Sequence, residues 1–216
     1  DAKISLERLN EIHEREDEDE HKSLMEIPQK ASLHFKNMSF KYHKDHPKWI
    51  LDDINLTIEH GKTTAIVGAS GSGKTTLLKL LLKFYKPDQG HYLIDDQDSE
   101  ITSNDTWRRQ CGVVMQDGFI FSDSIAKNIA VNGHKIDYER LKEAAKLASI
   151  DEYIDEQLKA YETKLGHDGT TLSNGQRQRI LIARAIYKNP DYLFFDEATS
   201  SLDSNNESII TSNLQE

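Results

Sequence analysis

Residues 68–76 read GASGSGKTT, and they fit G-x-x-x-x-G-K-[ST] in the context that this pattern requires. The run before it, TTAIVG at 63–68, is short, apolar and β-branched, as expected of a buried parallel strand. The run after it, KTTLLKLLLKFY from Lys74, reads as a helix whose leucines cover more than one face, so it should be largely buried. A strand that turns through glycines into a helix commits the chain to an α/β fold. Gly68, Gly71 and Gly73 let the turn curl until successive backbone N–H groups point into one concavity. The start of the helix adds its positive dipole end, so the concavity suits phosphate. Gly68, Ser70, Gly71, Ser72, Gly73, Lys74, Thr75 and Thr76 are therefore the expected nucleotide-binding loop. Lys74 would reach the β- and γ-phosphates, and the Thr75 hydroxyl would bind Mg²⁺.

A second element has the complementary chemistry. YLFFDE, 192–197, is an apolar strand ending in carboxylates. Asp196 is placed to reach Mg²⁺, and Glu197, on the other side of the strand end, to take a proton from an attacking water. Beside the phosphate loop, this acidic pair reads as functional rather than as an ordinary loop start.

The rest of the chain frames these elements. Leu33 to Tyr42 alternates as a half-buried strand, HKDHPK reads as a turn, and WILDDINLTIEHGK as further strand. His43, Asp45 and His46 in that turn lack another nearby ligand and read as an exposed hairpin tip. CGVVMQ at 111–116 is a second short apolar strand, and residues 120–188 are mainly helical. Within them Ser173 fits a helix N-cap with Gln176 as its capping-box partner, and Asn174 and Gly175 fall on the first turn. Glycine is a poor helix former, so Gly175 makes sense where backbone must approach another group closely. Residues 1–26 stand apart: Ile4, Leu9 and Ile12 lie near one helical face, followed by an acidic run from Glu14 to Glu20.

Two totals narrow the function. A net charge of −10 argues against a nucleic-acid partner. Cys111 is the only cysteine, which excludes an intrachain disulfide and suggests a reducing compartment. No apolar run approaches the ~20 residues that span a bilayer.

GASGSGKTT, then Gln116, LSNGQ, YLFFDE and SSLD, in that order, resemble the nucleotide-binding domain of ATP-binding cassette (ABC) transporters. The resemblance covers nearly everything after residue 33. It implies an α/β P-loop NTPase (RecA-like) core with an antiparallel β subdomain and an inserted α-helical signature subdomain. Residues 31–216 would form that domain, with 116–188 containing the helical part, and residues 1–30 an acidic cytoplasmic extension of a last transmembrane helix. The family's two cassettes dimerise head to tail, so Leu172, Ser173, Asn174, Gly175 and Gln176 would cap the γ-phosphate of an ATP held by a partner domain. By the same resemblance Tyr42 stacks on adenine, although a core tyrosine fits the bare sequence equally well. Gln116 would sense Mg²⁺ and the attacking water, joining Glu197 and Lys74 in catalysis and Thr75 and Asp196 around the metal, and Asp203 would cross the dimer interface. DEATS and SIAKNIA resemble exporters, and RILIARAIYKNPDYLFFDEATSSLD is similar to peptidase-containing bacterial peptide and bacteriocin exporters. That implies work at the cytoplasmic face of a bacterial inner membrane, with the transporter's transmembrane domain and a second cassette, identical or not, as partners.

Three positions depart from the family pattern. Asn174 replaces a glycine, His167 stands where such exporters have glutamate, and all nine histidines precede Glu197. The family's histidine on the γ-phosphate would follow a further strand after SSLD, so the resemblance implies a domain that is C-terminally truncated. An ATP-binding interaction module without turnover is accordingly the alternative to an ATPase. A soluble ABC ATPase of DNA repair or translation fits less well with DEATS, SIAKNIA and the acidic charge.

Overall fold

The alternation in Leu33–Phe40 forms β1, whose side chains divide between a buried face and an outer one, with the pairing shifted between Phe35 and Met38. In the computed structural model, which describes residues 2–13, 30–131, 135–166, 172–196 and 204–214, β1 pairs antiparallel on both sides. One neighbour is β2 (Leu51–Ile58) and the other β3 (Gln89–Ile94), and the two-residue β4 (Gln97–Asp98) extends the sheet in the order β2-β1-β3-β4. The alternation predicts β1 and β2; β3, whose burial is confined to its last residues, is legible only in the structure.

Helix α2 (Lys74–Leu81) follows the glycine loop and buries Thr76, Leu77, Leu78, Leu80 and Leu81, which is the all-round burial its leucines predict. It ends in a Schellman closure: Phe84 N–H donates to Lys79 O and Lys83 N–H to Leu80 O, both at 2.9 Å, with Lys83 left-handed at φ 57°. The remaining terminal carbonyls are taken by side chains. Tyr92 Oη and Trp107 Nε1 donate to Leu81 O at 3.1 and 2.7 Å, and Arg108 donates to the carbonyls of Leu82 and Lys83.

A parallel pair, β5 (Cys111–Val114) and β6 (Tyr192–Phe195), stands beside this unit. Trp107 belongs to α3 (Asn104–Arg109), capped by Ser103, and an aromatic run Phe35–Tyr92–Trp107–Tyr192 links the antiparallel sheet to the parallel pair with centroid spacings of 4.8, 6.4 and 5.0 Å. Tyr192 Oη donates to Ala31 O at 2.7 Å and closes the same seam. A second core unites α4 (Ile125–Ile129), α5 (Tyr138–Leu147), α6 (Asp151–Asp155) and α7 (Asn174–Tyr187) around Ile120, Leu141, Ile150 and Ile180. Two further helices, α1 (Ala2–His13) and α8 (Ser204–Asn213), lie near the two ends of the sequence. The acidic run from Glu14 to Glu20 lies outside the described residues.

One expectation needs correction. TTAIVG at 63–68 is not a buried parallel strand: it has no ladder partner among the described residues, and Ile66 and Val67 are 39% and 92% exposed. Strand propensity describes residues that suit a pleated, half-buried surface, but cross-strand neighbours must complete the ladder. Here the carbonyls of Gly68 and Ala69 are taken by Lys74 Nζ instead.

The seam between the two sheets makes stability sensitive to alkali. Burial pushes the Cys111 thiol from its ordinary 9.0 up to about 12 and the Tyr192 phenol from 10.0 up to about 12. Both folded-state values exceed the unfolded ones, so the stabilisation is complete below the unfolded values and is lost as pH rises through the window from 9.0 to about 12. The urea midpoint should therefore fall through this window. Cys111→Ala should delay the onset until the tyrosine begins to ionise in the unfolded protein; a midpoint that stays flat across the window would contradict this account.

Candidate nucleotide-binding site

The loop before α2 has the geometry its glycines predict. Gly71 and Gly73 adopt φ 77° and 93°, a region that other residues enter at a cost. A Cβ on Gly73 would also lie 2.8 Å from Leu51 Cδ2, and one on Gly68 would lie 2.5 Å from Ser72 Oγ. The left-handed backbone at Gly71 and Gly73 is what lets successive N–H groups turn into one concavity, as a cradle for phosphate oxygens requires. Ser72 N–H closes the turn on Ala69 O at 3.2 Å. Lys74 Nζ donates to the carbonyls of Gly68 and Ala69, each at 3.0 Å, so the ammonium is already folded over the loop.

The carboxylate strand arrives at the same place. Asp196 follows β6, its N–H donating to Val114 O at 2.9 Å, and its buried carboxylate accepts from Thr75 Oγ1 at 3.2 Å. These two oxygens are 121 residues apart in sequence. They are hard donors of the type Mg²⁺ prefers, so the residues present fit that ion. Gln116 follows β5 with an exposed side chain, and among the described residues no hydrogen bond joins it to Thr75 or Asp196. Glu197, Asp203 and His167 lie outside the described residues.

Tyr42 is placed beside the loop rather than in the core. It is 40% exposed, and its hydroxyl is 3.2 Å from Thr76 Oγ1, on the first turn of α2. The rings of Phe40 and Tyr85 approach it edge to face at 5.1 Å each, and Lys79 Nζ lies 6.0 Å from its centroid.

The N-terminus of α7 forms the expected capping box. Ser173 Oγ accepts from Gln176 N–H at 3.2 Å, and Gln176 Oε1 accepts from Ser173 N–H at 2.9 Å. Asn174 and Gly175 occupy the first turn, with Leu172 just before the cap. The box uses the serine oxygen as an acceptor, so its O–H remains able to donate outward.

Sequence reasoning missed the residues that fasten α7 to the loop after β5. Arg177 donates to Gly118 O at 2.7 Å, and Arg184 to the carbonyls of Phe119 and Asn128 at 2.8 and 2.7 Å. Asn128 is fully buried; its amide accepts from Phe121 N–H and donates to Phe121 O and Ser124 O. Burial pulls the pKa of the Arg184 guanidinium down to about 10, and its Cζ lies 5.3 Å from the Phe121 centroid. A signal was present for Arg184, which lies in the apolar second half of the helix and must find an acceptor if it is buried. The sequence does not show which acceptors it finds.

The comparisons with known proteins agree with this geometry. A family model described as ABC transporter matches residues 51–200. Over 213 residues the chain is 45% identical to the leukotoxin translocation ATP-binding protein LktB of Mannheimia haemolytica, a match covering 98% of this chain and 30% of that protein. The protein of the same name from Bibersteinia trehalosi matches to the same extent. Among solved structures, a bacterial Atm1-family ABC exporter with ATP bound aligns with a TM-score of 0.87 at 35% identity, over 98% of this chain and 37% of that one. The chain thus spans 30% of the length of the curated relatives it matches.

Proposed function

Because the chain belongs to the ABC transporter family, we propose that residues 31–216 are the ATP-binding and hydrolysing motor domain of an exporter, with a second such domain and a membrane-spanning domain as partners. The observation that carries the proposal is the Thr75–Asp196 contact, which sets the carboxylate strand against the phosphate loop. Among the described residues no helix is long and apolar enough to cross a membrane. The relatives' printed names concern leukotoxin translocation, and the similarity of RILIARAIYKNPDYLFFDEATSSLD to bacterial peptide exporters supports a peptide cargo for this chain as well. Its place of work on this reading is the cytoplasmic face of a bacterial inner membrane.

The residues divide the work. Lys74 exchanges two neutral carbonyl acceptors for charged phosphate oxygens, which strengthens its hydrogen bonds. The backbone N–H groups from Gly71 to Thr75 hold the phosphates in place without reorganising. Thr75, Asp196 and Gln116 would hold Mg²⁺, which when bound would neutralise phosphate charge. Tyr42 provides the shelf for adenine. Ser173, with its oxygen engaged by the capping box, donates its O–H to the γ-phosphate on a partner domain, and Gly175 permits the close approach. Asp203 contributes to the interface between the two domains. Glu197 takes the proton of the attacking water.

Lys74→Ala tests the binding half of this proposal. Loss of a hydrogen bond to a charged group is worth about 1.5–3 kcal/mol, or a ~10- to 150-fold loss of ATP affinity. Titration calorimetry on the purified protein would measure it. Unchanged affinity would remove the loop from the binding site.

A further inference from the structure

Tyr42 lies two residues beyond the end of β1 and is held in part by contacts from the helix that follows the phosphate loop and the turn that ends it. Its hydroxyl meets Thr76 at 3.2 Å, and its ring is met edge to face by Tyr85 at 5.1 Å and an interplanar angle of 79°. The position of Tyr85 is fixed by backbone geometry. It directly follows the Schellman closure of α2, in which Phe84 N–H bonds Lys79 O and Lys83 is left-handed. Arg108, while donating to the carbonyls of Leu82 and Lys83, also lies 4.7 Å from the Phe84 ring centroid and braces the same turn. The helix that begins at the phosphate loop thus ends in a turn that presents an aromatic ring to Tyr42.

Phe40 also touches Tyr42, but it is buried in the core, where its loss would disturb the sheet. Tyr85 is different. It is 42% exposed and contributes little to the core, yet it touches both Phe40, at 5.5 Å, and Tyr42. A ring held on edge by a neighbour keeps one orientation, and a fixed shelf stacks on a base at lower entropic cost than a mobile one.

We propose that Tyr85 is a positioning residue for nucleotide binding: through its edge contact it holds the Tyr42 ring in the orientation that stacks on the adenine of ATP. The inference rests on the adenine-stacking role of Tyr42. It predicts that Tyr85 matters to the base and not to the phosphates.

The test compares Mg²⁺-ATP with Mg²⁺-tripolyphosphate, which offers the phosphate loop the same kind of ligand without a base. Affinities of both for the purified protein would be measured by calorimetry in Tyr85→Ala, Tyr85→Phe and Tyr42→Ala. Tyr85→Ala should lose about 2- to 10-fold in ATP affinity, the range of one aromatic pair, while tripolyphosphate binding stays at the wild-type value. Tyr85→Phe should restore ATP binding, because the ring makes the contact. An equal loss for both ligands would show a merely structural role and overturn the proposal, as would wild-type ATP affinity in Tyr85→Ala while Tyr42→Ala is weakened. Wild-type ATP affinity in Tyr42→Ala would overturn the adenine shelf itself, and the proposal with it.

Discussion

Replacing Trp107 by alanine is expected to cost about 3–5 kcal/mol of folding stability, the range for removing a large aromatic side chain from a packed interior. Trp107 is fully buried and packs against Tyr92 on the antiparallel sheet and Tyr192 on the parallel pair. Its indole N–H also donates to Leu81 O at 2.7 Å, at the end of the helix that begins with Lys74 and Thr75. Two effects therefore combine, and their sizes decide which dominates. The hydrogen bond is the lesser one, because Tyr92 Oη also donates to Leu81 O and keeps that carbonyl satisfied. The greater is the cavity, which opens where the two sheets meet and cannot collapse without separating them. Trp107→Phe should accordingly cost about 1–2 kcal/mol, since it keeps most of the packing and loses only a shared donor. Urea unfolding would show the alanine variant's midpoint displaced with its slope unchanged. A loss under about 1 kcal/mol would mean that Trp107 does not join the two parts of the fold.

The seam around Trp107 also shows what the sequence made legible. The glycine loop, the capping box at Ser173 and the paired strands β1 and β2 could be read directly, because each depends on residues adjacent in the sequence. Gly71 and Gly73 need left-handed backbone wherever the loop is placed, and Ser173 and Gln176 are three residues apart on a single turn. Contacts between distant segments were not legible in this way. Nothing near Trp107 in sequence indicates that its N–H bonds the last turn of α2, and nothing near Asn128 announces Arg184, 56 residues later. The strand expected at 63–68 failed for the same reason: β-branched composition is a local property, whereas a parallel ladder is not. Within the candidate site, the Thr75–Asp196 pair was foreseeable only because the motif on each segment implied a common metal. Whether Tyr42 lies in the core was not legible either; the structure leaves it 40% exposed with its hydroxyl against Thr76.

That arrangement sets up the second large effect, on turnover. Asp196 is committed to Thr75 and, on the proposed reading, to Mg²⁺, so it cannot also act as the base for water. The next residue in sequence, Glu197, is the carboxylate left for that role. Glu197→Gln keeps the size of the side chain and its hydrogen-bonding capacity but removes its ability to accept a proton at neutral pH. General-base catalysis typically contributes ~10²–10⁴ in rate, so single-turnover ATP hydrolysis by the exporter that carries this domain should slow by about that factor. ATP affinity should hold, because phosphate binding rests on Lys74 and the loop. If two such domains close on ATP, as proposed, a domain that binds but does not hydrolyse should then accumulate as that dimer, visible as a persistent larger species in size-exclusion chromatography with ATP present. Asp196→Asn separates the two carboxylates. It should weaken binding in Mg²⁺ and have little effect in chelator, since on the proposed reading its partner is the metal rather than the water. If Glu197→Gln hydrolyses ATP at the wild-type rate while Asp196→Asn behaves as expected, the metal site stands and the base must be sought in another residue.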